Sequence, residues 1–260
     1  MRNLLAVTAV AAAAFTVSAS AATIDLSSLN VAGTAAKVGN GIQLTNFNGP
    51  NYQSGAAWLA QGVSTSQSFS TSFSFSLKGN DSGKMADGIA LVFQNIGNNV
   101  TGNAGGDVGY WNIGGHSGSA SVGSIIRTWD NNEYGLSTDG VVQGLNKAGW
   151  NFGALNNVTG SQTVSYNAAT HVLSMTGSFS DTAGHILNVS DSDIVDLSAK
   201  FGSTMYLGFT GATGGTDADQ RITSFAVSTV TTAVPEAETY AMMLAGLGMV
   251  GFIARRRKQA

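Results

Sequence analysis

Residues able to carry chemistry are scarce in this chain. Glu133 is the single glutamate between the two ends, so hydrolysis of a glycosidic bond by a glutamate pair is excluded and only an aspartate pair would remain for it. His116, His171 and His185 stand in separate contexts without metal-ligand spacing, and each reads as an ordinary surface or turn residue. There is no cysteine, no Gly-x-Ser-x-Gly elbow, and no glycine loop leading into Lys-Ser or Lys-Thr. The polar groups that do recur are loop aspartates: Asp87, Asp107, Asp130, Asp139, Asp191, Asp193, Asp217 and Asp219. Aspartate caps turns and tolerates their backbone angles. Several carboxylates converging with asparagine amides would instead hold calcium, and spacing leaves both readings open.

These groups sit on an unusual background. Of 260 residues 43% are hydrophobic and only 10% charged, against roughly 25% charged in an average domain, which excludes a charge-driven disordered chain. The 34 glycines accompany just two prolines, so they read as turn chemistry rather than a collagen period or a proline-rich linker. The net charge of −3 is a sum over unlike parts. Between Ala22 and Ala233 there are seven basic and 13 acidic residues, a balance of −6 that disfavours nucleic acid as a partner.

Strands must position whatever site exists. From Phe69 to Leu77 the apolar residues Phe69, Phe73, Phe75 and Leu77 alternate with Ser72, Ser74 and Ser76, which is the period of a strand with one buried face. Further strands are predicted at 41–47, 88–94, 122–129, 162–166, 171–176, 205–210 and 221–228, separated by Gly, Asn and Ser clusters. Short helical turns are expected near 193–201, and 97–123 reads as a long irregular loop. Residues 22–233 therefore read as one all-β sandwich or jelly roll.

The ends read as addresses. Residues 1–21 carry Arg2, an apolar stretch from Leu4 to Val17, and Ala19-Ser20-Ala21, the pattern of a signal peptide cut by signal peptidase after Ala21. Residues 234–258 carry Val234, Pro235 and Glu236, then 15 residues from Tyr240 to Ala254 that read as a short transmembrane helix, then Arg255-Arg256-Arg257-Lys258. That order resembles the PEP-CTERM sorting signal of Gram-negative bacteria that make exopolysaccharide. The resemblance implies an exosortase partner, a transient inner-membrane anchor, and release toward the periplasm, cell surface or extracellular matrix.

Four segments, in order, resemble the L-type, legume-like lectins of the concanavalin A-like fold. They are Phe73-Ser74-Phe75-Ser76-Leu77 with 86–93 (Ala86-Asp87-Gly88 onward); Ser124-Ile125-Ile126-Arg127-Thr128-Trp129-Asp130-Asn131; Val164 to Leu173; and Tyr206 to Gly215 with Ile222 to Phe225. The resemblance implies a two-sheet antiparallel sandwich in which Asp87, held by a cis peptide, accepts two sugar hydroxyls. Beside it the resemblance places Gly88, Asn131 and the backbone of a glycine loop within 105–115, with Gly105 and Gly106 as its donors. Tyr110 and Trp111 would lend a flat face to a sugar ring or else belong to the core.

The second segment departs from the family pattern. If Trp129 and Asn131 align with the family's aromatic and asparagine, Arg127 falls on a calcium-ligating aspartate, and a guanidinium cannot ligate a cation. In the other register Asp130 takes that place, with Thr128 and Tyr134 replacing the remaining ligands. No cofactor is certain. Calcium would fall to Asp130, Asn131 and Asp139 at a degenerate site. Two readings stand level: Arg127 pairs with Asp87 and substitutes for the metal charge, or the metal site has decayed. The function expected is a non-catalytic, exported bacterial lectin-like protein engaging exopolysaccharide or a surface glycan. The alternatives are a structural matrix or coat protein without sugar specificity and, less favoured, a glycan hydrolase on the same fold.

Overall fold

The alternation at 69–77 becomes the central strand of one sheet in a computed structural model, which describes residues 20–229 apart from 80–83, 118–120, 130–131, 150 and 152–156. The expected signal helix, most of the signal peptide, the sorting signal and its apolar helix lie outside the described residues, as do Asp130 and Asn131. Among the described residues no helix is long and apolar enough to cross a membrane. Ser20–Val230 forms a compact unit of its own, and the cleavage point expected after Ala21 falls inside its first strand.

In chain order the strands are β1 (Ser20–Thr23), β2 (Asn30–Gly33), β3 (Ala36–Val38), β4 (Gly41–Thr45), β5 (Ser54–Trp58), β6 (Val63–Ser64), β7 (Phe69–Gly79) and β8 (Gly88–Gln94). They continue as β9 (Ser121–Arg127), β10 (Glu133–Thr138), β11 (Asn146–Lys147), β12 (Asn157–Asn167), β13 (Val172–Asp181), β14 (Ile186–Ile194), β15 (Thr204–Ala212) and β16 (Ala218–Thr229). A short helix α1 (Leu197–Phe201) precedes β15, with the Asp196 carboxylate accepting from Ala199 N. The first sheet runs β14-β13-β12-β7-β16-β4-β3 with β1 also on β16. The second runs β11-β10-β9-β8-β15-β5-β2 with β6 also on β15. Each described pairing is antiparallel, as in the two-sheet sandwich expected.

Period two decides what lies between the sheets. Phe73 and Phe75 on β7 turn inward while Ser72, Ser74 and Ser76 turn out. Phe209 of β15 meets Phe73 edge-on at 5.1 Å and Phe225 of β16 at 4.9 Å, so aromatic edges and faces tie the two layers together. β8 departs from alternation because all seven of its residues are buried. Ile89, Leu91 and Phe93 enter this main core. Ala90 and Val92 face a second cluster with Trp58, Val108, Tyr110 and Ile113, where the long loop folds over the sheet's other side.

The eight predicted strands all form, most of them extended by a few residues, whereas β4 ends at Thr45 and β9 at Arg127, two residues before the expected ends. β1, β2, β3, β5, β6, β10, β11 and β14 were not predicted. β5 reads Ser-Gly-Ala-Ala-Trp, whose small residues carry no amphipathic signal, and β14 is an edge strand exposed along much of its length. Phe209→Ala is expected to lower stability by about 3–5 kcal/mol, and Ser74→Ala, on the outer face, to stay within about 0.5 kcal/mol of the unsubstituted protein. Urea denaturation midpoints check both, and equal effects would contradict the inward placement of Phe209.

Candidate functional site

The site is built at the start of β8. The Ala86–Asp87 peptide is cis, as the resemblance implies. Asp87 N donates to Ala212 O at 2.8 Å and Asp87 O accepts from Thr128 N at 2.9 Å, so the residue is fixed to β15 on one side and to the end of β9 on the other. The buried Gln220 amide donates to Ala86 O at 3.1 Å and to Ala212 O at 2.9 Å. Asp87 is 6% exposed, and a Cβ on Gly214 would come within 3.0 Å of its Oδ2. Only a glycine lets that backbone lie so close against the carboxylate.

The long loop closes the other wall. Gly105 N donates to Thr213 O at 2.9 Å, and Thr210 Oγ1 donates to Val108 O at 2.9 Å. Trp58 Nε1 donates to Val100 O at 2.8 Å. Gly105 and Gly215 face open space, whereas a Cβ on Gly106 would sit 3.0 Å from Arg127 Nη2. Asp87, Gly105, Gly106, Gly214 and Arg127 thus converge at one end of the second sheet. The Gly105 N–H expected to meet a ligand is already spent on Thr213 O.

Arg127 is opposite Gly88 in the β8–β9 ladder. Its Nη1 donates to Glu133 Oε2 at 3.0 Å and to Val142 O at 3.2 Å, both side chains of the ion pair being about 15% exposed. Arg127 forms an ion pair with Glu133, which stands directly opposite it in the β9–β10 ladder. Of the residues expected to hold calcium, Asp130 and Asn131 lie outside the described residues. Among the described residues no three His, Asp or Glu side chains cluster as ligands, and a guanidinium held by the nearest glutamate brings positive charge and no lone pair.

Other expected site residues fall elsewhere. Gly88 is buried at φ 140°, where a Cβ would collide with Ile126 O, so it serves close strand approach rather than ligand contact. Asp139 follows the opposite end of β10 from Glu133 and pairs with Lys200 at 2.6 Å, because antiparallel register carries it away from Arg127. Tyr110 is fully buried, its hydroxyl donating to Ser137 O at 2.9 Å, and burial pushes its pKa up to about 12. It belongs to the core, while Trp111 is partly exposed and packs beside Gly140.

Two aromatics not singled out by the sequence as ligand contacts stand on the segments that meet at the site. Tyr52, 70% exposed, donates its N–H to Gly214 O at 2.9 Å. Partly exposed Trp129 follows Thr128, and Lys84 Nζ lies 5.8 Å from the centre of its ring. In the β15–β16 loop, burial holds the Asp217 carboxyl above its ordinary 3.8, with the Thr213 hydroxyl opposing that shift.

Comparison with known proteins agrees with this geometry. The family described as Legume lectin domain matches residues 14–241, and the PEP-CTERM protein-sorting motif matches 233–258. A seed lectin of Styphnolobium japonicum is 32% identical over 158 residues, covering 56% of this chain and 51% of that protein. A bark lectin of the same plant is 31% identical over 156 residues, covering 56% and 55%. The chain thus spans about half the length of the curated relatives it matches. Among solved structures, a Bauhinia forficata lectin in complex with GalNAc superposes with a TM-score of 0.66 at 21% identity, covering 83% of this chain and all of that one. Peanut lectin superposes at 0.65 and 22% identity, covering 82% and 97%. At these identities the structural likeness speaks to the fold.

Two outcomes are expected from this geometry. Gln220→Ala strips Ala86 O of its side-chain donor and lowers stability by about 1–3 kcal/mol in urea denaturation; a change below about 0.5 kcal/mol would contradict the tie. Because the folded-state pKa of Asp217 is raised, stability falls as pH climbs from 3.8 through that raised value and the penalty is complete above it. Asp217→Asn should therefore raise the melting temperature at pH 7.5 and leave it unchanged at pH 3, by calorimetry.

Proposed function

The chain belongs to the legume lectin domain family and carries a PEP-CTERM sorting motif, and from that premise we propose that it is an exported, non-catalytic glycan-binding protein whose site centres on Asp87. The observation that carries this reading is the convergence of the Asp87 carboxylate and two glycine-bearing loops at one end of the sandwich. An ionised carboxylate accepts strong hydrogen bonds from vicinal hydroxyls. Gly106 N–H is the loop's donor to the same sugar, in place of Gly105. Tyr52 and Trp129 cover the sugar's C–H face. The GalNAc complex of the Bauhinia forficata lectin supports a sugar as the ligand class.

Binding rather than hydrolysis is supported by the fate of Glu133. The only glutamate between the ends is committed to Arg127, so it offers no carboxylic acid positioned to protonate a leaving group. The site works without metal in this reading, with the Arg127–Glu133 pair bracing the β9–β10 end that calcium would otherwise organise. The PEP-CTERM motif implies export and surface sorting. We take residues 1–21 as the signal peptide, 22–233 as the lectin-like domain and 234–258 as the segment that pauses at the inner membrane for an exosortase. The source is a Gram-negative bacterium and the glycan its exopolysaccharide or that of a neighbouring cell.

Glycan-array binding is expected to disappear in Asp87→Ala and to weaken about three- to tenfold in Tyr52→Ala without loss of stability; retained binding in Asp87→Ala would overturn the site. Calcium at millimolar concentration or EDTA should leave the melting temperature and the glycan affinity unchanged. A ligand that binds only the folded protein raises its melting temperature, so a large calcium-dependent rise would refute metal independence.

A further inference from the structure

The outer face of the first sheet carries a second feature that the Asp87 site does not use. Beyond the ends of β4 and β7 and the start of β16 lies an open groove of about 790 Å³, within the roughly 300–1,000 Å³ typical of small-ligand clefts. Its walls include Gln43, Asn46, Phe47, Lys78, Asp219 and Arg221. Strand register explains why these meet: Lys78 stands opposite Asp219, and Arg221 stands opposite both Ser76 and Gln43. Inward neighbours on the same strands, Leu77 and Ile222, are buried, so the polar positions share the outward face.

Charge in this groove is unbalanced. Asp219 gives both carboxylate oxygens to Arg221, at 2.7 Å to Nε and 2.8 Å to Nη2. Lys78 faces that carboxylate across the ladder, yet it forms no ion pair among the described residues; its ammonium lies 5.9 Å from the centre of the Phe47 ring. One negative group is thus neutralised in a fork and one positive group is left over, on a domain whose overall balance is −6. Phe47 is partly exposed and supplies a flat apolar face. The Asn46 backbone beside it is clamped by Gln53, which accepts from Asn46 N at 3.0 Å and donates to Asn46 O at 2.6 Å. An uncompensated ammonium, side-chain amides and an aromatic face, together on a fixed backbone, match a carboxylated sugar: carboxylate to Lys78, hydroxyls to the amides, C–H face to the ring.

We propose that this groove is a second saccharide site, selective for a uronate-type, carboxylated unit of an acidic polysaccharide and independent of Asp87. Two contacts at opposite faces of one end would let a single polymer chain bind with an avidity that neither contact provides alone.

The test is titration calorimetry on the full chain with hexagalacturonate and its fully methyl-esterified counterpart, in 50 and 300 mM NaCl. The acid form is expected to bind, the ester about tenfold more weakly, and the higher salt to weaken the acid form alone. Lys78→Gln should weaken binding of the acid about tenfold and leave glycan binding through Asp87 unchanged, while Asp87→Ala should retain binding of the acid. Lys78 is exposed, so its replacement leaves the fold intact, which a melting curve confirms. Absence of binding to the acid, equal binding of acid and ester, or indifference to Lys78→Gln each overturns the proposal. Loss of acid binding in Asp87→Ala with no effect of Lys78→Gln would assign the ligand to the first site instead, so failure of one reading is distinguishable from failure of the other.

Discussion

Burial of both faces of β8 is the constraint from which most of the molecule follows. A strand buried on both faces needs a layer on each side, and the second sheet has the first sheet on one side only. The 95–117 loop supplies the other layer, sending Val108, Tyr110 and Ile113 onto Ala90, Val92 and Ile125. To press that closely it spends hydrogen bonds from Trp58, Ser54 and Thr210 on its own carbonyls. Its glycines take the positive φ values that so tight a course requires, at Gly105, Gly109, Gly114 and Gly115. The residue that enters β8, Asp87, is then held between β15, β9 and this loop, with little freedom left to lose when a ligand arrives.

Charge is used sparingly and locally. Among the described residues two of the partly buried ionic groups are paired: Arg127 with Glu133, and Asp219 with Arg221. Pairing matters because a partly buried ion without a partner forfeits its hydration. It also leaves specific groups uncommitted, Lys78 on the outer face being the clearest, and such groups set what the surface can recognise. The two proposed sites thus differ in sign. One presents a carboxylate to hydroxyl donors, and the other presents an ammonium to an anion.

Legibility in the sequence followed the strength of local patterning. β7, with phenylalanines and serines in strict alternation, was plain, and so were β8, β15 and β16 through their apolar runs. β5 and β14 were not, since the first is built of small residues and the second lies at an edge where solvent touches both faces. At the site, Asp87 and the glycine loop were readable from their resemblance to the lectins. Tyr52 and Gln220 were not, because nothing near them in the chain marks them: Tyr52 reaches the site through Gly214 and Gln220 through Ala86, partners far off in sequence. Asp139, close to Arg127 in sequence, lies beyond the far end of an antiparallel strand and pairs with Lys200.

Asp87 came from the resemblance to the lectins; the chain's composition and period-two patterning alone determined an all-β sandwich and a shortage of catalytic groups. Those properties are local, set by residue type and by the alternation of a pleated backbone. Tertiary structure alone decided which charge meets which. Arg127 pairs with Glu133, Tyr110 goes to the core, and Lys78, Phe47 and Arg221 gather on the outer sheet. Ladder register and loop packing join residues that the chain itself keeps tens of positions apart, and no one-dimensional pattern records that distance.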